Sequence, residues 1–87
     1  MKVYRIYTEW NTNLNSYTSE HLTGFTIYDA TGYWLGEPER SAIIEIVDTN
    51  NNPKLGETVT RLAQIIRFQN RQESVLVTVH EANVLLI

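Results

Sequence analysis

The stretch from Gly24 to Asp48 reads GFTIYDATGYWLGEPERSAIIEIVD. Its two ends have the composition of strands. Phe25-Thr26-Ile27-Tyr28 alternates Phe25 and Ile27 against Thr26 and Tyr28, and Ser41-Ala42-Ile43-Ile44-Glu45-Ile46-Val47 runs without glycine or proline. β-branched and aromatic side chains favour a pleated surface, so both ends are expected to be strands. Between them lie Gly32, Tyr33, Trp34, Gly36, Glu37, Pro38, Glu39 and Arg40. Glycine and proline punctuate chains, so this middle is expected to be an exposed loop that holds a ligand or a partner.

On the N-terminal side, residues 2–9 (KVYRIYTE) alternate and predict a first strand. Tyr4, Ile6 and Thr8 share one side; Val3, Arg5, Tyr7 and Glu9 share the other. The polar segment 10–23 places Leu14, Tyr17, Thr18, His21 and Leu22 at helical spacing. Asn13 is the expected N-cap, and Gly24 the expected left-handed stop. On the C-terminal side, Asn52-Pro53 is a helix start signal. Leu55, Val59, Leu62, Ala63 and Ile66 then form one face of a helix that ends near Gln69. Residues 74–80 (SVLVTVH) predict a further strand, and Val84–Ile87 has the length of a short fifth one. The order is β-α-β-β-α-β. It implies an α+β, ferredoxin-like domain over residues 1–87, with a four-stranded antiparallel sheet and both helices on one face. The opposite sheet face must then meet solvent or another chain.

Composition narrows the function classes. The chain has 87 residues, no cysteine and a formal net charge of −3. A chain of this size buries only about 60% of its unfolded surface, so self-association is an expected source of stability. The acidic balance argues against nucleic acid as a partner, which needs clustered cations. No apolar run is long enough to span a membrane. With no cysteine, a cytoplasmic protein is expected. His21 and His80 have no partner at metal-ligand spacing. Glu37 and Glu39 flank Pro38 with no nucleophile nearby and read as solvated.

At Tyr33-Trp34-Leu35-Gly36-Glu37-Pro38-Glu39 the chain resembles the PII/CutA-like superfamily of small trimeric ferredoxin-like proteins. Trp34, Gly36 and Glu39 match the W-x-G-x-x-E pattern of CutA proteins. The histidine-proline-tyrosine segment of CutA proteins is replaced by Phe68-Gln69-Asn70-Arg71-Gln72-Glu73, and the phosphate-binding glycine-rich stretch of PII regulators is missing. The resemblance implies a homotrimer with ligand sites between subunits. It assigns Gly32, Tyr33, Trp34, Gly36, Glu37 and Arg40 to one side of the site, and Arg67, Asn70, Arg71 and Gln72 to the other. Aromatic faces would stack on a base and guanidinium forks would hold phosphate. The implied function is non-catalytic: uptake of a small anion, a nucleotide or a nucleotide-derived signal, as sensor or sponge, with no cofactor. Two other readings share the fold plan. One is a structural or protein-interaction trimer of CutA type. The other is an acylphosphatase-like enzyme, but Glu9-Trp10-Asn11-Thr12-Asn13 lacks the glycine and arginine of its phosphate loop. Arg5, Tyr7, Glu9 and Trp10 read best as a subunit contact.

Overall fold

The computed structural model describes residues 1–87. The elements are β1 (Lys2–Glu9), α1 (Leu14–His21), β2 (Thr26–Trp34), β3 (Glu37–Val47), α2 (Leu55–Gln69) and β4 (Leu76–Glu81). They form a ferredoxin-like α+β fold, with one sheet in the order β2-β3-β1-β4. All three strand pairings are antiparallel. The alternation in β1 explains why it is central. Tyr4, Ile6 and Thr8 are buried on the helix side, opposite Ile46, Ile44 and Ala42 of β3. α2 answers with Val59, Leu62, Ala63 and Ile66, one stripe at spacings of three, one and three. Leu14 of α1 joins the same core. Thr18, also fully buried, donates its hydroxyl to Leu14 O at 2.7 Å, so burial leaves no unpaired polar atom there.

The expected loop between the second and third strands is instead a ribbon. β2 and β3 stay paired out to Trp34↔Glu37, and only Leu35 and Gly36 turn, with φ of 50° and 80°. Two residues at positive φ form the hairpin turn whose twist suits flanking strands. Gly32 lies within the ladder opposite Glu39, and Pro38 opposite Tyr33. Pro38 is tolerated because the pairing of β1 with β3 stops at Ser41, so this end of β3 has a neighbour on one side only.

Other boundaries shift for local reasons. Gly24 is not a left-handed cap: α1 closes at Leu22 in extended conformation, its N–H donating to Thr18 O at 2.9 Å. Asn13 stands at the N-cap position without a side-chain cap bond; Asn11 Oδ1 instead accepts the Asn13 N–H at 2.7 Å. α2 starts after Lys54, two residues beyond Pro53, because Asn52 Oδ1 accepts from Lys54 N at 2.9 Å and closes a turn of its own. No fifth strand forms. The ladder of β4 with β1 ends at Lys2↔Glu81, with Ala82 N donating to Met1 O at 2.8 Å, and residues 84–87 carry no strand.

Ile44 has no exposed surface, whereas Leu76 is 61% exposed on β4. Ile44→Ala is therefore expected to destabilise by about 2–5 kcal/mol. That is a large share of the roughly 4–13 kcal/mol available to a domain of this length. Leu76→Ala should cost less than about 1 kcal/mol. Urea titration of both variants checks the difference; equal midpoints would contradict the assigned core.

Candidate functional site

Strand register builds a cleft on the sheet face that carries no helices. Directly paired residues share a face, so Glu9, Ser41 and Ala30 form one row across β1, β3 and β2. Tyr7 and Ile43, with Tyr28 and Leu76, form the next row inward. Gly32 and Glu39 form the row outward. These rows enclose a cavity of about 580 Å³ whose lining includes Tyr7, Glu9, Gly32, Trp34, Glu39 and Ser41. A second hollow of about 440 Å³ adds Arg71 and Glu73 and shares Glu9, Gly32, Tyr33, Trp34, Glu39 and Gln72 with the first. The two make one cleft at the base of the β2–β3 ribbon. Gly32 keeps its floor open: a Cβ there would stand 2.8 Å from Ser41 Oγ. Trp34 shares the cleft side of β2 with Gly32 and is 74% exposed, so its ring is free to take a planar ligand, whereas Tyr33 alternates to the opposite side.

The wall after α2 is locked to β1 by amide side chains. Gln72 Oε1 accepts from Thr8 Oγ at 2.7 Å, from Asn70 Nδ2 at 3.0 Å and from Glu9 N at 3.4 Å. Asn70 Nδ2 also reaches Thr8 Oγ at 3.1 Å and Glu9 O at 3.2 Å, while Asn70 Oδ1 accepts from Asn11 Nδ2 at 2.7 Å. Both backbone polar groups of Glu9 are thus held by side chains of the 70–72 turn. Nothing in the structure pairs the Glu9 carboxylate with a cation. Burial pushes it above its ordinary value, and the charge of Glu39 pushes it the same way.

The residues singled out in the sequence separate into groups. Gly32, Tyr33, Trp34, Arg71 and Gln72 line the cleft together. Asn70 lies behind it in the amide lock. Gly36 and Glu37 stand at the ribbon's tip, outside the cleft lining. Arg67 opens instead into a groove of about 380 Å³ between α2 and β4, beside Glu73 and Val75. Arg40 is drawn away altogether. Its Nη2 donates to Asp29 Oδ2 at 2.9 Å, and its guanidinium lies 3.9 Å from the centre of the Trp10 ring. The Arg40 partner holds the Asp29 carboxyl below its ordinary value. The three arginines expected around one phosphate therefore occupy three separate places. Glu9 and Glu39 were absent from the expected site, because their meeting depends on the ribbon register that the glycines and proline disguised. Alternation alone did put Tyr7 and Glu9 on the outer face.

A second polar cluster crosses the same face nearer its centre. Arg5 Nε donates to Glu45 Oε2 at 2.8 Å, and Tyr28 Oη donates to Glu45 Oε1 at 2.9 Å. The Arg5 bond, then the Tyr28 bond, hold the Glu45 carboxyl below its ordinary value, and the Glu45 bond raises the Tyr28 hydroxyl. This cluster is internally satisfied; the cleft is not.

No family model matches the chain, and no curated protein sequence matches it. Solved structures do. A phage SAM lyase in complex with S-methyl-5′-thioadenosine superposes with a TM-score of 0.73 at 20% identity, over 92% of this chain and 80% of that one. A phage SAM lyase in the apo state gives 0.71 at 19% identity, over 91% of this chain and 78% of that one. The de novo designed protein Foldit4 gives 0.51 at 15% identity, over 94% of this chain and 96% of that one. These likenesses carry the fold. They also overturn the expectation of a non-catalytic binding protein, since the phage structures matched along nearly the whole chain are of an enzyme.

The raised Glu9 carboxyl gives a stability test. A carboxyl with a higher value in the folded chain binds its proton more tightly there. Its contribution favours the fold at acid pH and is lost as pH rises through the folded value. Glu9→Gln should therefore raise the melting temperature at pH 7, by about 2 °C for a surface-sized effect. The gain should vanish at acid pH, where wild-type Glu9 is also neutral. Thermal melts at the two pH values check it; a gain that persists in acid would refute the assigned cause.

Proposed function

We propose that this chain is a lyase acting on S-adenosylmethionine (SAM), releasing S-methyl-5′-thioadenosine. The observation that carries this reading is the match to a SAM lyase holding that thioether, joined to an open aromatic cleft whose carboxylates lack partners. SAM differs from the thioether by one aminobutyrate group on a sulfonium. Release breaks the bond between sulfur and the γ-carbon, and the electron pair goes to sulfur. The carbon is captured by the substrate's own carboxylate oxygen, closing a lactone. No atom is gained or lost, no water is consumed, and one positive and one negative charge cancel.

Such a reaction asks little acid–base chemistry of the protein. The cleft lining contains no histidine and no cysteine. Substrate supplies both nucleophile and leaving group, so the gain comes from fixing a productive conformation and excluding water. Trp34, on the cleft side of the ribbon, gives the adenine an aromatic face, worth about 1–3 kcal/mol for one stacked base. Glu9 and Glu39 face the cationic part of the ligand. Self-association belongs to the same reading: Trp34 and Leu76 are exposed apolar groups on the cleft face, which supports copies of the chain, in a trimer or another ring, covering this sheet face.

Incubation of the purified protein with SAM is expected to yield S-methyl-5′-thioadenosine in step with SAM loss, followed by liquid chromatography. Trp34→Ala should lower kcat/KM about tenfold or more. A yield of thioether no greater than in a protein-free control would end the lyase reading.

A further inference from the structure

We propose that Arg71 anchors the carboxylate of the substrate's amino-acid part, and that it is held for this in a backbone conformation that glycine would adopt at lower cost. The inference rests on the lyase reading and names the residue that tells substrate from product at the same cleft.

The geometry begins at the end of α2. Asn70 N donates to Ile66 O at 2.9 Å, Arg71 N to Phe68 O at 3.2 Å and Gln72 N to Arg67 O at 3.0 Å. The helix thus closes through a residue at φ 54°, and that residue is Arg71. Glycine is the usual occupant of such a position because a Cβ crowds the backbone there. A non-glycine residue kept at this φ beside a cleft is an observation from which a role for its side chain can be argued. Two consequences of the turn lie on the cleft. The chain emerging from it carries Gln72 onto Thr8 and Glu9. Arg71 itself lines the hollow with Gly32, Tyr33, Trp34 and Glu9.

Arg71 is also chemically uncommitted. Arg5 is paired with Glu45 and Arg40 with Asp29, but Arg71 makes no ion pair. Arg71 is the one cation among the cleft's lining residues, facing Glu9, Glu39 and Glu73. That pattern of one positive group among several negative ones is complementary to a ligand with the reverse pattern. SAM is such a ligand: it has a sulfonium, an ammonium and one carboxylate. A guanidinium N–H can hold one carboxylate oxygen by a charge-assisted bond and leave the other oxygen free to close on the γ-carbon. S-methyl-5′-thioadenosine has no carboxylate, so the same anchor has nothing to hold once the carbon–sulfur bond is broken.

The test uses two thioethers, neither of which is a lyase substrate. S-Adenosylhomocysteine keeps the carboxylate; S-methyl-5′-thioadenosine lacks it. Calorimetry on the full chain should show wild type binding the first more tightly. Arg71→Ala removes the charge and keeps the positive-φ strain; Arg71→Gly removes both. Both variants should lose about tenfold or more in affinity for S-adenosylhomocysteine, and neither should change for S-methyl-5′-thioadenosine. Arg71→Gly alone should raise the melting temperature, by about 4 °C. An Arg71→Ala protein that keeps the wild-type ratio of the two affinities overturns the anchor, as does a wild type that binds neither thioether or both equally. An Arg71→Gly protein no more stable than wild type overturns the strain. Because no bond is broken in these titrations, Arg71-dependent binding with SAM left uncleaved would remove the lyase reading and keep the anchor.

Discussion

The pairing of β1 with β3 through Ile6↔Ile44 is the constraint on which the rest of this small structure depends. Side chains alternate along a strand with period two, so a slip of one residue would turn Tyr4, Ile6 and Thr8 outward and bury Arg5 and Glu9. Two opposed preferences prevent the slip. On the helix side, Ile6, Ile44, Leu62 and Ile66 are fully enclosed, each worth about 1.5–3 kcal/mol of burial. On the other side, Arg5 meets Glu45 directly across the ladder. That half-buried ion pair adds little energy, but a slipped β1 would bury the Arg5 charge away from Glu45. The same register sets Glu9 against Ser41 and Tyr7 against Ile43, so the cleft is a by-product of the pairing that makes the core.

Where local periodicity was strong, the fold was legible in the sequence. KVYRIYTE spans the whole of β1, and the stripe from Leu55 to Ile66 marks the buried face of α2. What stayed hidden was decided by partners rather than by propensity. Gly32 and Pro38 look like loop residues, yet the ladder with β3 and a tight Leu35-Gly36 turn hold them in strands. Arg40 looked free, but its stacking on Trp10 and its bond to Asp29 are fixed by packing between segments thirty residues apart in places. The site was half visible for the same reason. Gly32, Tyr33, Trp34, Arg71 and Gln72 carried chemistry conspicuous in composition and do meet. Glu9 and Glu39 become neighbours only once a turn of two residues extends the hairpin.

The amide lock shows how a chain with a modest core can hold a site. Thr8, Asn70 and Gln72 bind one another and both backbone groups of Glu9. Polar side chains of this kind usually seek water. Here each partner satisfies the others, so the network orders the end of β1 without leaving an unpaired buried atom. The left-handed Arg71 is the cost of the arrangement, since the turn that delivers Gln72 to Thr8 and Glu9 passes through it. Strain stored beside a cleft, and offset by bonds to the central strand, is a recurring feature of functional sites.

Charge decides between kinds of ligand more firmly than shape does. A phosphate group entering this cleft would meet Arg71 but also Glu9, Glu39 and Glu73, and the chain as a whole carries a formal net charge of −3. Repulsion from three carboxylates outweighs attraction to one guanidinium at comparable distances. The expectation of a small anionic ligand therefore fits poorly with the groups that line the site. It came from counting Arg40 and Arg67 as free cations facing it. With Arg40 bound to Asp29 and Arg67 turned toward β4, the local balance reverses. A ligand with an adenine ring, a net positive tail and a single carboxylate meets complementary groups at each end. In the proposed lyase reaction, breaking the carbon–sulfur bond would leave the thioether uncharged, and the carboxylates would lose their hold on it.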